Sequence, residues 1–318
     1  MRVAVVGAGL AGLAAARELR ADGHEVVVFE KSRGVGWRIA SRRAEGTVLD
    51  HGSPVMAAPP GTPLRGLADA LHAEDRVDLE DGIAFAGGAT RLPKLMAGGL
   101  DIRLGVRLAA LREAGGTGGG LELGDEQGNT HGAVDGVVVT APAPQAADLL
   151  ERSPGGGARA ALLRGLAYAP AVMVLAGVPG AGEGPAVERP ADGPLAEVRR
   201  EAAKGRVGDP APVVARLAPE LSAELLDASD ARVLEVALPA LAGVLGAEPA
   251  WSQVKRWRFA VPEGRLDADE VNPPGVRVVV AGDTVTGASF GGDDHHRVFV
   301  SGVEAARRLT SSLAVVAR

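Results

Sequence analysis

The apolar positions of this chain fall into two patterns. Short unbroken runs of β-branched residues suit strands buried on both faces. Longer stretches with apolar residues three and four apart suit amphipathic helices. Arg2 to Val6 is a run of the first kind, and Glu25 to Phe29 is another. Between them, Leu10, Leu13, Ala14 and Leu19 form the stripe of a helix over Leu10 to Ala21, ended by Asp22-Gly23-His24. Later, Asp101 to Leu111 alternates like a strand, and Leu121 to Leu123 and Ala133 to Thr140 read as further strands. Ala143 to Glu151 reads as a short helix after a proline turn, Val276 to Ala281 as a buried strand, and Val298 to Ser312 as a closing helix that begins at Val298.

The middle of the chain has a different texture. Most prolines lie between residues 151 and 275, where strand-like runs (Ala171–Ala176, Val213–Leu217) mix with a helical one (Ala231–Leu245). The charged run Glu197–Arg206 reads as a solvated helix face. Residues 51–95 also fit the strand–helix alternation poorly. The expected organisation is discontinuous. Residues 1–50, 96–150 and 276–318 form a nucleotide-binding α/β domain, and residues 51–95 and 151–275 form a second, α+β domain for substrate.

Composition narrows the function classes. A net charge of -6 over 318 residues, with 46% hydrophobic residues, argues against a nucleic-acid binder. The absence of cysteine excludes disulfides, thiolate metal sites and a flavin tethered through sulfur, and fits a cytoplasmic setting. No apolar stretch approaches the ~20 residues of a membrane span. Aromatic residues make up only 3%, and Tyr168 is the sole tyrosine. The glycine-rich stretch at 115–120 reads as a flexible hairpin or loop.

The chemistry starts at Gly7-Ala8-Gly9-Leu10-Ala11-Gly12, between the first strand and its helix. That context makes G-x-G-x-x-G informative. Gly7 allows the tight turn, Gly9 lets backbone approach a pyrophosphate, and Gly12 lets helix and strand pack closely. The helix N-terminus, opened by Leu10 and Ala11, offers free N–H groups to the anion. Glu30 ends the second strand eighteen residues past Gly12, where a carboxylate accepts from ribose hydroxyls and repels a 2′-phosphate. The loop that follows, Lys31 to Ser41, is basic and glycine-containing where nicotinamide-dependent dehydrogenases usually have a helix. It suits the extended cofactor FAD.

The stretch VAVVGAGLAGLAAARELRADGHEVVVFEKSRGVGWRIASRR resembles the amino terminus of the amine-oxidase-like flavoproteins, in particular their renalase-like branch. VVVTAPAPQAADLL, RWRFAVPEG, VVVAGDTV and VFVSGVEAARRL resemble further segments of that branch, so the likeness spans the chain. The resemblance implies a Rossmann-like FAD-binding domain with a second substrate domain. It implies FAD contacts from Gly7, Gly9, Leu10, Ala11, Gly12, Glu30, Lys31, Arg33, Gly36, Trp37 and Arg38. Further contacts come from Leu108 near adenine, Thr140, the pair Gly282-Asp283, and Arg297 and Val298 at the last helix. The implied chemistry is removal of a hydride from a dihydronicotinamide-type small donor, with oxygen as acceptor.

Three departures from the family pattern stand out. Trp37 occupies a position that is glycine in the family. Pro54 and Val55 replace an aromatic pair expected near the flavin ring. The 284–297 segment is long and carries Asp293-Asp294-His295-His296, for which a polar loop is expected rather than a metal site. His51 and Trp257 are the catalytic candidates, the alternatives being that His51 supports the site from behind and Trp257 walls the pocket, and Lys255 is expected to be solvated. Two alternatives stand beside the leading one: a tailoring oxidase of a secondary metabolite, and a degenerate member with weak or no flavin acting without redox chemistry.

Overall fold

The computed structural model describes residues 1–115, 119–287 and 294–316. From the amino terminus the chain forms strand β1 (Arg2–Val6), helix α1 (Leu10–Ala21), strand β2 (Glu25–Glu30) and the hairpin β3 (Ser41–Ala44) with β4 (Thr47–Asp50). Strands β5 (Asp101–Leu104) and β6 (Gly136–Val139) and helix α2 (Ala143–Glu151) follow. The middle supplies β7 (Tyr168–Val178), β8 (Leu195–Arg200), β9 (Ala211–Leu217), helix α3 (Asp230–Leu245) and β10 (Trp251–Pro262). Strand β11 (Val278–Val280) and helix α4 (Asp294–Val316) complete the order.

A five-stranded parallel sheet runs β11-β6-β1-β2-β5. Its strands are β-branched and unalternating because both faces are covered. On one face Val3, Val5 and Val28 pack with Leu13, Phe299 and Leu309 of α1 and α4. A Cβ on Gly302 would sit 2.1 Å from Ala11 O, so only glycine lets these helices approach so closely. The other face packs Ala4, Val27 and Phe29 under α2 and a three-stranded antiparallel sheet built from Leu108–Glu113, Leu121–Asp125 and Thr130–Val134.

The second sheet is antiparallel, with the short edge strand Val187–Glu188 followed by β8, β9, β7 and β10. Helix α3 covers one face with Val233, Ala237 and Leu241. The opposite face meets the β3–β4 hairpin, where Leu49 packs on Ala171, Met173, Leu175 and Val214.

Several expectations change on contact with the structure. The strand read over 101–111 is two strands separated by a turn, and the one over 133–140 is broken before Gly136. Helix α4 already includes Asp294, so Val298 lies one turn inside it rather than at its start. In the 51–95 segment, Met56, Leu64, Phe85 and Leu92 bury in the same core as α1 and α4, on the nucleotide-binding layer rather than on the antiparallel sheet. The charged run 197–206 is no solvated helix. It is the end of β8, a short 3-10 turn (Glu201–Lys204) and Arg206, with Glu197, Arg199, Arg200, Glu201, Lys204 and Arg206 all buried. Residues 116–118 of the glycine-rich loop and Asp293 lie outside the described residues. No helix among the described residues is long and apolar enough to cross a membrane.

Candidate active site

The turn between β1 and α1 is built from crossing glycines. Gly7 has φ +103, and a Cβ on Gly12 would fall 1.9 Å from Gly7 O. Gly12 thus acts by letting helix and turn cross, while Gly7 and Gly9 line the cleft above. Glu30 is buried at the end of β2. Its carboxylate accepts from Ala8 N (2.8 Å) and Ser32 N (2.7 Å), which fixes it beside the turn with lone pairs left over for ribose hydroxyls.

Two clefts meet over this turn. The first, about 620 Å³, is walled by Phe29, Glu30, Lys31, Val106, Leu108, Thr140 and Leu149. Lys31 Nζ donates to Gln145 Oε1 across it (3.0 Å). The second, about 880 Å³, is walled by Leu10, Ala11, Gly36, Arg38, Gly282, Asp283, Arg297 and Val298. The antiparallel sheet contributes Ala260, Val261 and Pro262 to it. Gly9, Trp37 and Thr140 belong to both clefts. An apolar pocket beside a ribose-binding acid, joined at a helix N-terminus to a larger cleft that carries Arg38, Asp283 and Arg297, suits an extended dinucleotide.

Trp37 stands at that junction. Gly36 N–H donates to Ala8 O (2.8 Å), which ties the loop onto the glycine turn. Trp37 then takes φ 48, a left-handed conformation that costs a bulky residue strain. Its Cβ lies 3.6 Å from where a Gly9 Cβ would be, so the side chain lies over the motif glycine. The Arg38 guanidinium stacks on the indole at 3.9 Å.

Arg38 also joins the two sheets. It donates to Phe259 O (3.3 Å), to Ala260 O and to Asp283 Oδ2 (2.6 Å). Asp283 accepts a second hydrogen bond from the Tyr168 hydroxyl (3.0 Å), and Tyr168 accepts from Ala143 N at the start of α2 (3.2 Å). Burial and the adjacent Asp283 charge push the Tyr168 phenol well above its ordinary value, so it remains a donor. Sequence reasoning missed this residue. Its being the only tyrosine was noted, but nothing local tied it to Asp283, 115 positions away. Ser301, likewise missed, accepts from Gly282 N (3.0 Å) and so docks α4 against the Gly282-Asp283 turn.

The catalytic candidates sit beside the second cleft rather than in its wall. His51 N–H donates to Ala40 O (3.1 Å), and the next residues lead to Ser53, which lines the cleft. The His51 ring stacks on Trp257 at 5.6 Å and 20°, and Trp257 Nε1 donates to His51 O (2.6 Å). Burial, then the Lys255 and Arg42 charges, lower the His51 imidazole to about 4, so the ring is neutral. Lys255 is half-buried with its ammonium 4.7 Å over the Trp257 ring, contrary to the expected solvated lysine. Arg33 is exposed and lines neither cleft, because its loop turns outward before Gly36. His295 accepts from Ala57 N (3.2 Å). Among the described residues no cluster of three or more His, Asp or Glu is arranged to hold a metal.

Comparison with known proteins adds to this geometry. Residues 5–71 match the NAD(P)-binding Rossmann-like domain, and residues 76–310 match the flavin containing amine oxidoreductase family. A 4,4'-diapophytoene desaturase (4,4'-diaponeurosporene-forming) of Staphylococcus haemolyticus (strain JCSC1435) is 46% identical over 59 residues, which is 19% of this chain and 12% of that enzyme. A counterpart of the same name from Staphylococcus aureus (strain Newman) is 42% identical over 59 residues, with the same shares. This chain therefore spans only a small part of those desaturases. Among solved structures, a putrescine oxidase variant with redesigned cofactor binding superposes with TM-score 0.69 at 14% identity, covering 99% of both chains. An oxidoreductase from Methanosarcina mazei superposes with TM-score 0.64 at 17% identity, covering 96% of this chain and all of that one. These likenesses show the fold. The family match over most of the length establishes that the chain belongs to the flavin containing amine oxidoreductase family, whose cofactor FAD the groove and the glycine turn fit.

Proposed function

We propose that the enzyme is a renalase-like oxidase, which takes a hydride from a dihydronicotinamide-type or similar small donor and gives the electrons to oxygen. Bound FAD supplies the two-electron acceptor, and the balance is donor hydride plus oxygen plus a proton giving oxidised donor and hydrogen peroxide. Gly7, Gly9, Glu30, Leu108 and Thr140 would hold the adenosine half, and Arg38, Gly282, Asp283 and Val298 the flavin half. The observation that carries the reading is the His51–Trp257 stack beside the second cleft, an aromatic pair whose imidazole is neutral. Hydride transfer from a planar donor needs stacking and exclusion of water more than acid–base help, and a neutral imidazole on an indole offers the first. The nearby Lys255 and Arg42 cations disfavour an ammonium substrate, which separates this reading from an amine oxidase.

Two measurements test it in sequence. The purified protein should show flavin absorbance near ~370 and ~450 nm at about one FAD per chain. Anaerobic mixing with dihydronicotinamide isomers should then bleach the ~450 nm band, and air should restore it with peroxide formed. A yellow protein bleached by amines but not by dihydronicotinamides would overturn the proposed donor. Bleaching only by a larger metabolite would favour the tailoring-oxidase reading.

A further inference from the structure

Three cations gather on the antiparallel-sheet face that meets the β3–β4 hairpin. In the strand register, Arg216 of β9 and Lys255 of β10 flank Met173 of β7, so all three point to one face. Gln253 and Trp257 stand two residues either side of Lys255 and share that face. From the hairpin, Arg42 Nη1 donates to Gln253 Oε1 (2.9 Å), which brings a third cation over the same strand. Arg42, Arg216 and Lys255 are all half-buried.

The neighbouring carboxylates are already engaged. Asp50 accepts from Lys204 (3.0 Å) and Arg206 (2.9 Å), and Glu197 is held by Arg199 (2.6 Å) and Arg189 (3.2 Å). Among the described residues, no carboxylate lies within ion-pair distance of Arg42, Arg216 or Lys255. By contrast Arg199, Arg200, Lys204, Arg206 and Arg256 of the same domain each have one. A second observation points the same way. His51, only 7% exposed and stacked on the same Trp257, has an Nδ1 without a hydrogen-bond partner. Half-buried cations without counter-ions, beside an aromatic platform and an unpaired ring nitrogen, form an incomplete site rather than a solvated face.

We infer that Lys255 and Arg42, with Arg216 behind them, receive an anionic group, carboxylate or phosphate, of a substrate that lies beside the Trp257–His51 pair. The inference rests on the reading of this face as the substrate side. It adds that charge selects the substrate there: an anion is held and an amine is turned away.

Calorimetric titration of the FAD-loaded protein with benzoate, phenyl phosphate, benzamide and benzylamine tests this. Benzoate, phenyl phosphate or both should bind at least ~10-fold tighter than benzamide, and benzylamine should not bind. The comparison between benzoate and phenyl phosphate tells a carboxylate site from a phosphate site. Lys255→Gln and Arg42→Gln should each weaken the anion about 10-fold or more and leave benzamide unchanged. Bound flavin at unchanged stoichiometry checks that each variant is folded. Equal binding of anion and amide, binding of none of the four, or an anion preference that survives in both variants would overturn the inference. Bleaching by dihydronicotinamides is a separate readout. A charge preference without bleaching discards the donor and keeps the anion site, and bleaching without a charge preference does the reverse.

Discussion

At the scale of single residues, Trp37 and His51 carry the sharpest consequences. The Trp37 backbone has φ 48, and its side chain lies over Gly9 where a pyrophosphate must pass. Trp37→Gly relieves a left-handed strain of about 1–2 kcal/mol, which acts on stability rather than affinity, and removes the indole from above Gly9. FAD should therefore bind about tenfold tighter or more to this variant, measured by flavin fluorescence quenching on titration. Unchanged affinity would mean that the indole already lies clear of the cofactor. His51 gives a pH signature. Its imidazole falls from the ordinary 6.5 to about 4, chiefly through burial. Between those values the unfolded chain binds a proton that the folded one does not, so stability is full above pH 6.5 and drops as pH falls towards 4. The loss from this group sums to about 3 kcal/mol, and His51→Asn should flatten that part of the urea-midpoint curve. The sequence marks His51 as a catalytic candidate. Its neutrality was not legible, since Lys255 and Arg42 act on it from a distant strand and from the adjacent hairpin.

At the scale of elements, the helix and strand patterns of the nucleotide-binding half were read closely. Leu10 to Ala21 and Ala143 to Glu151 are helices over the expected residues, because period and punctuation agreed there. The run from Glu197 to Arg206 defeated the same reasoning. Charge in a sequence normally signals solvent, and only tertiary pairing can reverse that. Here Asp50 of β4 and Glu201 face Lys204 and Arg206 in a buried cluster, with Asp50–Lys204 at 3.0 Å and Glu201–Lys204 at 2.9 Å. Burial alone would raise the Asp50 carboxyl, but the Lys204 and Arg206 charges outweigh it and hold the group low. Removing Lys204 leaves two buried carboxylates, Asp50 and Glu201, to share the single cation Arg206. Lys204→Met should cost about 3–5 kcal/mol by urea unfolding. The double variant Lys204→Met with Glu201→Leu should recover much of that loss, because Asp50 and Arg206 then remain as a balanced pair. A single variant within ~0.5 kcal/mol of wild type would mean that the cluster is solvated.

At the scale of the molecule, the cofactor groove belongs to neither sheet alone. The glycine turn, Glu30 and Gly282-Asp283 come from the parallel sheet, while Ala260, Val261 and Pro262 come from the end of β10. Arg38 crosses between them, bonding Asp283 on one side and the Phe259 and Ala260 carbonyls on the other. A ligand that needs both walls binds only when both halves are folded and apposed, so its free energy is shared by the two. At free FAD a hundredfold above its dissociation constant, that contribution is about 2.7 kcal/mol. In a Trp37→Gly background two probes report on different halves: far-ultraviolet dichroism is dominated by the helices of the nucleotide-binding layer, and the remaining tryptophans, Trp251 and Trp257, lie on β10. FAD should move the thermal transitions seen by both probes upward together. Arg38→Met removes the bridge and should let the tryptophan transition fall below the dichroism one even with FAD present. A tryptophan transition indifferent to FAD in that background with Arg38 intact would mean that the antiparallel sheet does not close over the cofactor. The assignment of His51, Trp257 and Lys255 to the reacting side would fall with it.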